Sequence, residues 1–191
     1  MAESPGVRLV AVLGSATPPG RLRRALAEAL DRAANAEVEL VDLAERRIVA
    51  ADGRPPDTLD DDTQATLAAI ARADAVVLAT PVYRGSFTGT LKNLLDHVPI
   101  EALRDKPVAI VAMGATAHHH LGAERHLRDV LSWFGALTLP TAVYLESADF
   151  EDGAPGPRAA AELDAVIATA TKLAAATLAP LGPAPLAARG R

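Results

Sequence analysis

The run Ala75-Val76-Val77-Leu78-Ala79 is apolar without polar alternation and stops at Thr80-Pro81, where the chain enters a loop holding Gly85 and Gly89. A short Val-rich run of this kind is a strand covered on both faces, as in a parallel sheet. Pro81 ends it, because proline has no N–H for the ladder and a fixed φ. The two glycines let the backbone turn sharply and approach a ligand with no Cβ in the way. Beyond the loop, Leu91, Leu94, Leu95 and Val98 recur at helical spacing. The loop is therefore pinned between a buried strand and an amphipathic helix, and reads as a floor for something flat.

The same pattern recurs along the chain. Leu9-Val10-Ala11-Val12-Leu13 stops at Gly14-Ser15, and a helix is expected over residues 21–34. The intervening loop carries Ser15, Thr17, Pro18, Pro19 and Gly20. Small hydroxyl residues and glycine at a strand-to-helix turn fit a phosphate site, where amides, hydroxyls and the helix N-terminus face the anion. The loop is neither a Walker A sequence nor the three-glycine dinucleotide pattern, and an ordinary strand–helix turn is the alternative. Val38, Leu40 and Leu43 alternate with Glu37, Glu39 and Asp42, which describes a half-exposed strand nearer the sheet edge.

Residues 48–59 form a loop, after which Asp60, Asp61 and Asp62 open a helix through Leu67, Ile70 and Ala71. Acidic residues suit a helix N-terminus, whereas as metal ligands these three would diverge. Residues 107–112 are another buried strand, followed by Gly114-Ala115-Thr116 and a helix over 122–134 with Leu127, Val130, Leu131 and Phe134 on one face. Trp133 and Phe134 read as core or interface. A last strand is expected over 139–145, a polar loop over 151–156 and a long helix over 158–179. Residues 180–191, with three prolines, read as a disordered tail behind a single domain of residues 1–179.

At 191 residues the length suits one domain. Aromatics make up only 3% of the chain, so it matters that Tyr83 and Phe87 both fall in the central loop. A net charge of −5 argues against a nucleic-acid surface. The absence of Cys excludes disulfides, thiolate metal sites and Cys nucleophiles. The first residues lack a basic n-region and the apolar run at 9–13 is too short for a signal core or membrane span, so no membrane association and a cytoplasmic location are expected.

Five strand–helix units without internal repeats predict an α/β doubly wound sheet, flavodoxin-like in order 2-1-3-4-5, with five parallel strands and right-handed crossovers. In that order the crevice lies between the carboxyl ends of strands one and three, where neighbouring connections leave in opposite directions. The phosphate-type loop and the flat-floor loop then meet in one site.

Gly14-Ser15, the stretch Pro81-Val82-Tyr83 leading to Gly89-Thr90-Leu91-Lys92-Asn93-Leu94-Leu95-Asp96, and Gly114-Ala115-Thr116 together resemble the NAD(P)H-dependent FMN reductase family of flavodoxin-like proteins. The resemblance is strongest to the branch that supplies reduced flavin to alkanesulfonate monooxygenases, and it covers nearly the whole chain up to the tail. It implies FMN with its phosphate in the loop running from Gly14 to Arg23, near Ser15, Thr17, Gly20, Arg21 and Arg23. One flavin-ring edge would lie against the backbone of Pro81, Val82, Tyr83, Arg84, Gly85 and Ser86, and the other against Gly114, Ala115 and Thr116. The family usually has an Arg two residues after the Ser and further serines down the loop. Here Thr17, Gly20 and Leu22 stand at those positions, leaving Arg21, Arg23 and Arg24 to supply charge from the helix start.

In the implied mechanism NADPH or NADH stacks on the exposed flavin face and passes hydride to it, with no catalytic acid or base from the protein. The resemblance also implies a homodimer or tetramer, with Phe87 and the 91–98 helix near the contact, and a flavin-dependent monooxygenase as possible partner. In this branch an inserted residue in the 122–134 helix can form a π-bulge. His118, His119 and His120 are consecutive and lack spaced carboxylates, so they are expected to border the nicotinamide site or a subunit contact and not to bind metal. The alternatives are a reductase that retains FMN and passes electrons to quinones or azo dyes, an electron carrier, and a relative that has lost flavin. A carrier usually closes aromatic rings on both flavin faces, for which the loops hold too few aromatics.

Overall fold

The computed structural model describes residues 6–17, 19–34, 36–176, 180–185 and 188. Strands β1 (Val7–Leu13), β2 (Ala36–Asp42), β3 (Ala75–Pro81) and β4 (Pro107–Met113) run parallel in the order β2-β1-β3-β4. The fifth position is shared by two short strands, β5 (Leu137–Thr138) and β6 (Val143–Leu145), each parallel to β4. This is the expected 2-1-3-4-5 order.

The single last strand expected over 139–145 is corrected to this split pair. The Leu139 amide still bonds Val108 at 2.9 Å, but Pro140 has no N–H to continue the ladder, and pairing resumes only at Val143. Arg128 Nη2 donates to the freed carbonyls of Leu139 and Pro140 at 2.7 and 3.0 Å.

Alternate residues of a strand point to opposite faces, so a central strand covered on both sides needs apolar residues throughout. In β1, Leu9, Ala11 and Leu13 face the layer of α1 (Arg21–Asp31) and α5 (Pro157–Ala176). Val10 and Val12 face the layer of α2 (Thr63–Arg72), α3 (Gly89–His97) and α4 (His120–Phe134). Val76 and Leu78 of β3 join the second layer, Val77 and Ala79 the first. Each such Val or Leu contributes about 1.5–3 kcal/mol of burial. Glu37 and Glu39 of β2 stay exposed, as an edge strand allows.

Other expectations are adjusted at their ends. Helix α1 stops at Asp31, and α4 starts at His120 and is regular α-helix to Phe134, without a π turn. Residues 177–179 of the last expected helix lie outside the described residues. The polar loop at 151–156 is part of a hairpin, β7 (Phe150–Glu151) and β8 (Ala154–Pro155), turned by Asp152 and Gly153 at φ 49° and 77°. Trp133 is 63% exposed and is not core, whereas Phe134 is buried. In the expected tail, the Leu181 amide donates to Asp105 at 3.3 Å and Ala188 packs against the core; residues 186–187 and 189–191 lie outside the described residues.

Candidate active site

The carboxyl ends of β1 and β3 are locked together before either loop begins. The Gly14 amide donates to Ala79 at 2.7 Å, and the Thr88 hydroxyl donates to the Gly14 carbonyl while accepting the Leu91 amide at 3.1 Å. Thr88 is thus the N-cap of α3 and the tie to β1 at once. A Cβ on Gly14 would lie 2.6 Å from the Leu91 Cβ, so only glycine lets the two loops sit this close.

In the first loop, Ser15 Oγ accepts the Thr17 amide at 3.3 Å and lies 3.0 Å from the Thr17 hydroxyl. Gly20 is the N-cap of α1 and has no side chain to cap it, which leaves the first-turn amides of the helix turned outward. Between Ser15, Thr17, Gly20, Arg21 and Arg23 on one side and Pro81 and Tyr83 on the other lies a cleft of about 140 Å³. Larger grooves exist, one of about 290 Å³ at the opposite end of β1 and β2, but they lack this convergence of loop amides and hydroxyls.

The three arginines of this helix start have different partners. Arg23 Nε donates to Asp42 at 2.9 Å and Nη2 to Glu45 at 3.4 Å, and the Asp42 side chain is only 3% exposed. Arg24 pairs with Glu28 at 2.8 Å. Among the described residues Arg21 touches only neutral groups: Ser147 Oγ at 3.2 Å, the Ser147 carbonyl at 3.5 Å, and the Phe150 ring with its centroid at 5.2 Å.

The second loop is a tight turn. Tyr83 and Ser86 exchange backbone hydrogen bonds at 2.9 and 3.1 Å around Arg84 and Gly85, whose φ values are 54° and 77°. Arg84 in the left-handed region costs about 1–2 kcal/mol. Among the described residues no protein acceptor takes the amides of Arg84 or Gly85, and Tyr83 is 47% exposed. The Val82 amide donates to Met113 at 2.7 Å, which brings the turn beside the third segment.

That segment, Gly114, Ala115 and Thr116, is fastened by Tyr144 on β6, a residue the sequence did not single out. Its hydroxyl donates to the Thr116 carbonyl at 2.7 Å, and a Cβ on Gly114 would lie 1.9 Å from that oxygen. Burial, helped by the negative charge of Glu146, raises the Tyr144 pKa, so the phenol stays a neutral donor. Among the described residues no acceptor takes the Ala115 or Thr116 amide. His120 meets the Tyr144 ring edge-on at 6.3 Å, His118 and His119 are exposed beside it, and no metal-holding group of side chains occurs among the described residues.

Two further residues shape the turn from α4. A Cβ on Gly122 would lie 2.3 Å from the Gly85 carbonyl oxygen, and His126 Nδ1 lies 2.8 Å from Ser86 Oγ. On the other side Asn93 of α3 holds the 48–51 loop, donating to Ile48 and Val49 and accepting the Ala51 amide, with His97 at 3.0 Å from the Val49 carbonyl. The first loop and Pro81 and Tyr83 of the second therefore line one crevice, while Gly114, Ala115 and Thr116 follow Met113 at its edge and, like Val82, Arg84, Gly85 and Ser86, are not among the residues lining it. Its outer supports, Tyr144, Gly122, His126, Ser147 and Phe150, were missed, because each is remote in sequence; only the glycine at 114 hinted at a close neighbour.

A 2-1-3-4-5 parallel sheet with its loops gathered at the β1/β3 switch point is a flavodoxin-like protein. The model of the NADPH-dependent FMN reductase family matches residues 7–150, and the chain belongs to that family. The NADH-dependent FMN reductase SfnF of Pseudomonas fluorescens is 38% identical over 151 residues, 76% of this chain and 80% of that one. An FMN reductase (NADPH) of Pseudomonas aeruginosa is 35% identical over 148 residues, with 76% and 80% covered. The apo structure of the NADH:FMN oxidoreductase EmoB shares the fold at a TM-score of 0.71 and 22% identity, covering 96% of this chain and 97% of that one.

Proposed function

We propose that this protein reduces FMN with NADPH or NADH and releases the reduced flavin to a flavin-dependent monooxygenase. The observation that carries the reading is the crevice itself: an uncapped helix start with two hydroxyls and a releasable arginine faces a turn with unpartnered amides. These residues fit FMN. Ser15, Thr17 and the amides of Gly20 to Arg23 would hold the phosphate, with Arg21 supplying charge. The backbone of Pro81 to Ser86 and of Gly114 to Thr116 would hold the two ring edges, leaving the outer face to the nicotinamide.

The two nucleotides, when bound, would supply the hydride-transfer chemistry themselves. The protein binds, orients and screens them from water. Holding the phosphate largely with neutral donors suits a flavin that exchanges. When FMN exceeds enzyme, NAD(P)H oxidation should depend on added FMN and continue for many turnovers. A stoichiometrically yellow protein whose turnover ignores added FMN would favour a retained flavin passing electrons to another acceptor.

The reading extends to a homodimer or tetramer. The Leu91 and Leu94 side chains of α3 are buried in the core, Phe87 is half-buried against it, and Leu95 and Val98 line a groove between α3 and α4. The exposed apolar group on this face is Trp133, which lines the same groove with Pro99 and Ile100. Exposed apolar patches of this kind mark association. Light scattering at micromolar concentration should give more than one subunit, and Trp133→Glu should lower the mass.

A further inference from the structure

The flavin-edge turn is gripped by α4 at two points, and neither belongs to the motif that defines the turn. The Gly85 carbonyl stands where a Cβ of residue 122 would be, so α4 approaches the turn at backbone distance. One helical turn later, His126 Nδ1 is 2.8 Å from Ser86 Oγ. Besides these two points, the turn is held by the Val82 amide, which donates to the Met113 carbonyl at 2.7 Å. Its own bonds are the Tyr83–Ser86 pair, and both central residues have positive φ, a conformation that persists where surroundings enforce it.

We infer that His126 is a positioning residue for flavin binding, acting through the Ser86 hydroxyl to hold the Tyr83–Ser86 turn at the height and orientation the ring edge needs. This rests on the FMN reading of the crevice and assigns it a support outside the three loops. Ser86 has one hydroxyl proton. When His126 accepts it, the turn is tied to a helix whose buried face, Ala123, Leu127 and Leu131, is fixed in the core. Without the imidazole, water takes its place at Ser86, and the turn keeps its internal bonds, the Val82–Met113 bond and the Gly85–Gly122 contact but loses its side-chain tie to α4.

The test is fluorescence-quenching titration of FMN and of riboflavin with wild-type protein, His126→Ala, His126→Asn, Ser86→Ala and the double alanine variant. A neutral hydrogen bond of this kind corresponds to roughly a three- to tenfold change in affinity. His126→Ala should weaken both flavins by the same factor, since the turn faces the ring and not the phosphate. His126→Asn should restore most of the affinity, because its amide can reach the Ser86 hydroxyl. The double variant should be no weaker than the weaker single one, the non-additivity expected of residues acting through one bond.

Thermal midpoints separate this from misfolding, as His126→Ala and His126→Asn should melt alike yet bind differently. Equal binding by wild type and His126→Ala, or strictly additive losses, would overturn the inference while leaving the FMN reading intact. Failure of wild-type protein to bind either flavin would overturn both.

Discussion

Replacing Gly122 by alanine tests whether backbone contact between α4 and the flavin-edge turn is real. In an unobstructed helix interior the change stabilises by about 1 kcal/mol, because glycine carries the larger entropic cost. Here the added Cβ would stand 2.3 Å from the Gly85 carbonyl oxygen, below the 3.0 Å that Cβ atoms essentially never breach, so one backbone must shift to make up the difference. Overpacking of that kind costs about 1–3 kcal/mol, and the obstacle is main chain and cannot rotate away. Subtracting the propensity gain leaves a net loss of up to about 2 kcal/mol, which is up to roughly 8 °C for a domain of this size. Urea unfolding and calorimetry read the stability, and FMN quenching reads the turn, which should bind more weakly once displaced. The sign decides: a Gly122→Ala protein that is more stable than wild type and binds FMN equally well would refute the packing described for α4.

Arg21→Ala should weaken FMN roughly tenfold and leave riboflavin nearly unchanged, and the difference should shrink at high salt. Arg23→Ala should instead lower stability by about 2–3 kcal/mol, because it strands the buried Asp42 carboxylate, with a smaller effect on FMN. Asn93→Ala removes bonds to three backbone groups of the 48–51 loop and should cost about 2–3 kcal/mol in urea unfolding. Lys106, whose Nζ donates to the Ile70 and Ala71 carbonyls at the end of α2, has its pKa lowered by burial to about 8 from 10.5. The unfolded chain therefore binds more protons between these values, so stability should rise with pH from about 8 to 10.5, and Lys106→Met should flatten that rise.

Much of this architecture is legible because burial on both faces leaves a strand no room for polar residues. Ala75 to Ala79 and Leu9 to Leu13 could scarcely be anything else, and the alternation of Glu37 and Glu39 with Val38 and Leu40 places β2 at an edge. From the strand order the crevice follows, so two loops chosen for their residue types are found together. What sequence does not carry is the partner of a residue that looks ordinary. Pro140 marks the break in the last strand, but not that Arg128 would fill the gap. Gly122 and His126 look like plain helix positions until the turn lies against them.

The arginines at the start of α1 show the same limit in electrostatic form. Sequence offers Arg21 and Arg23 as equivalent cations for a phosphate. Both line the cleft, but two residues apart on a helix of 3.6 residues per turn they project about 200° apart and so meet different partners. Which one turns inward is decided by the end of β2, where Asp42 is buried and must have a cation. Arg23 meets that need, and breaking the pair would leave a charge in the core. Arg21 holds, among the described residues, a hydroxyl, a carbonyl and a ring face, and gives up these to leave its resting place. The cation that can reach a phosphate is thus the one whose present contacts are weakest, a property fixed by the packing of β2 against α1.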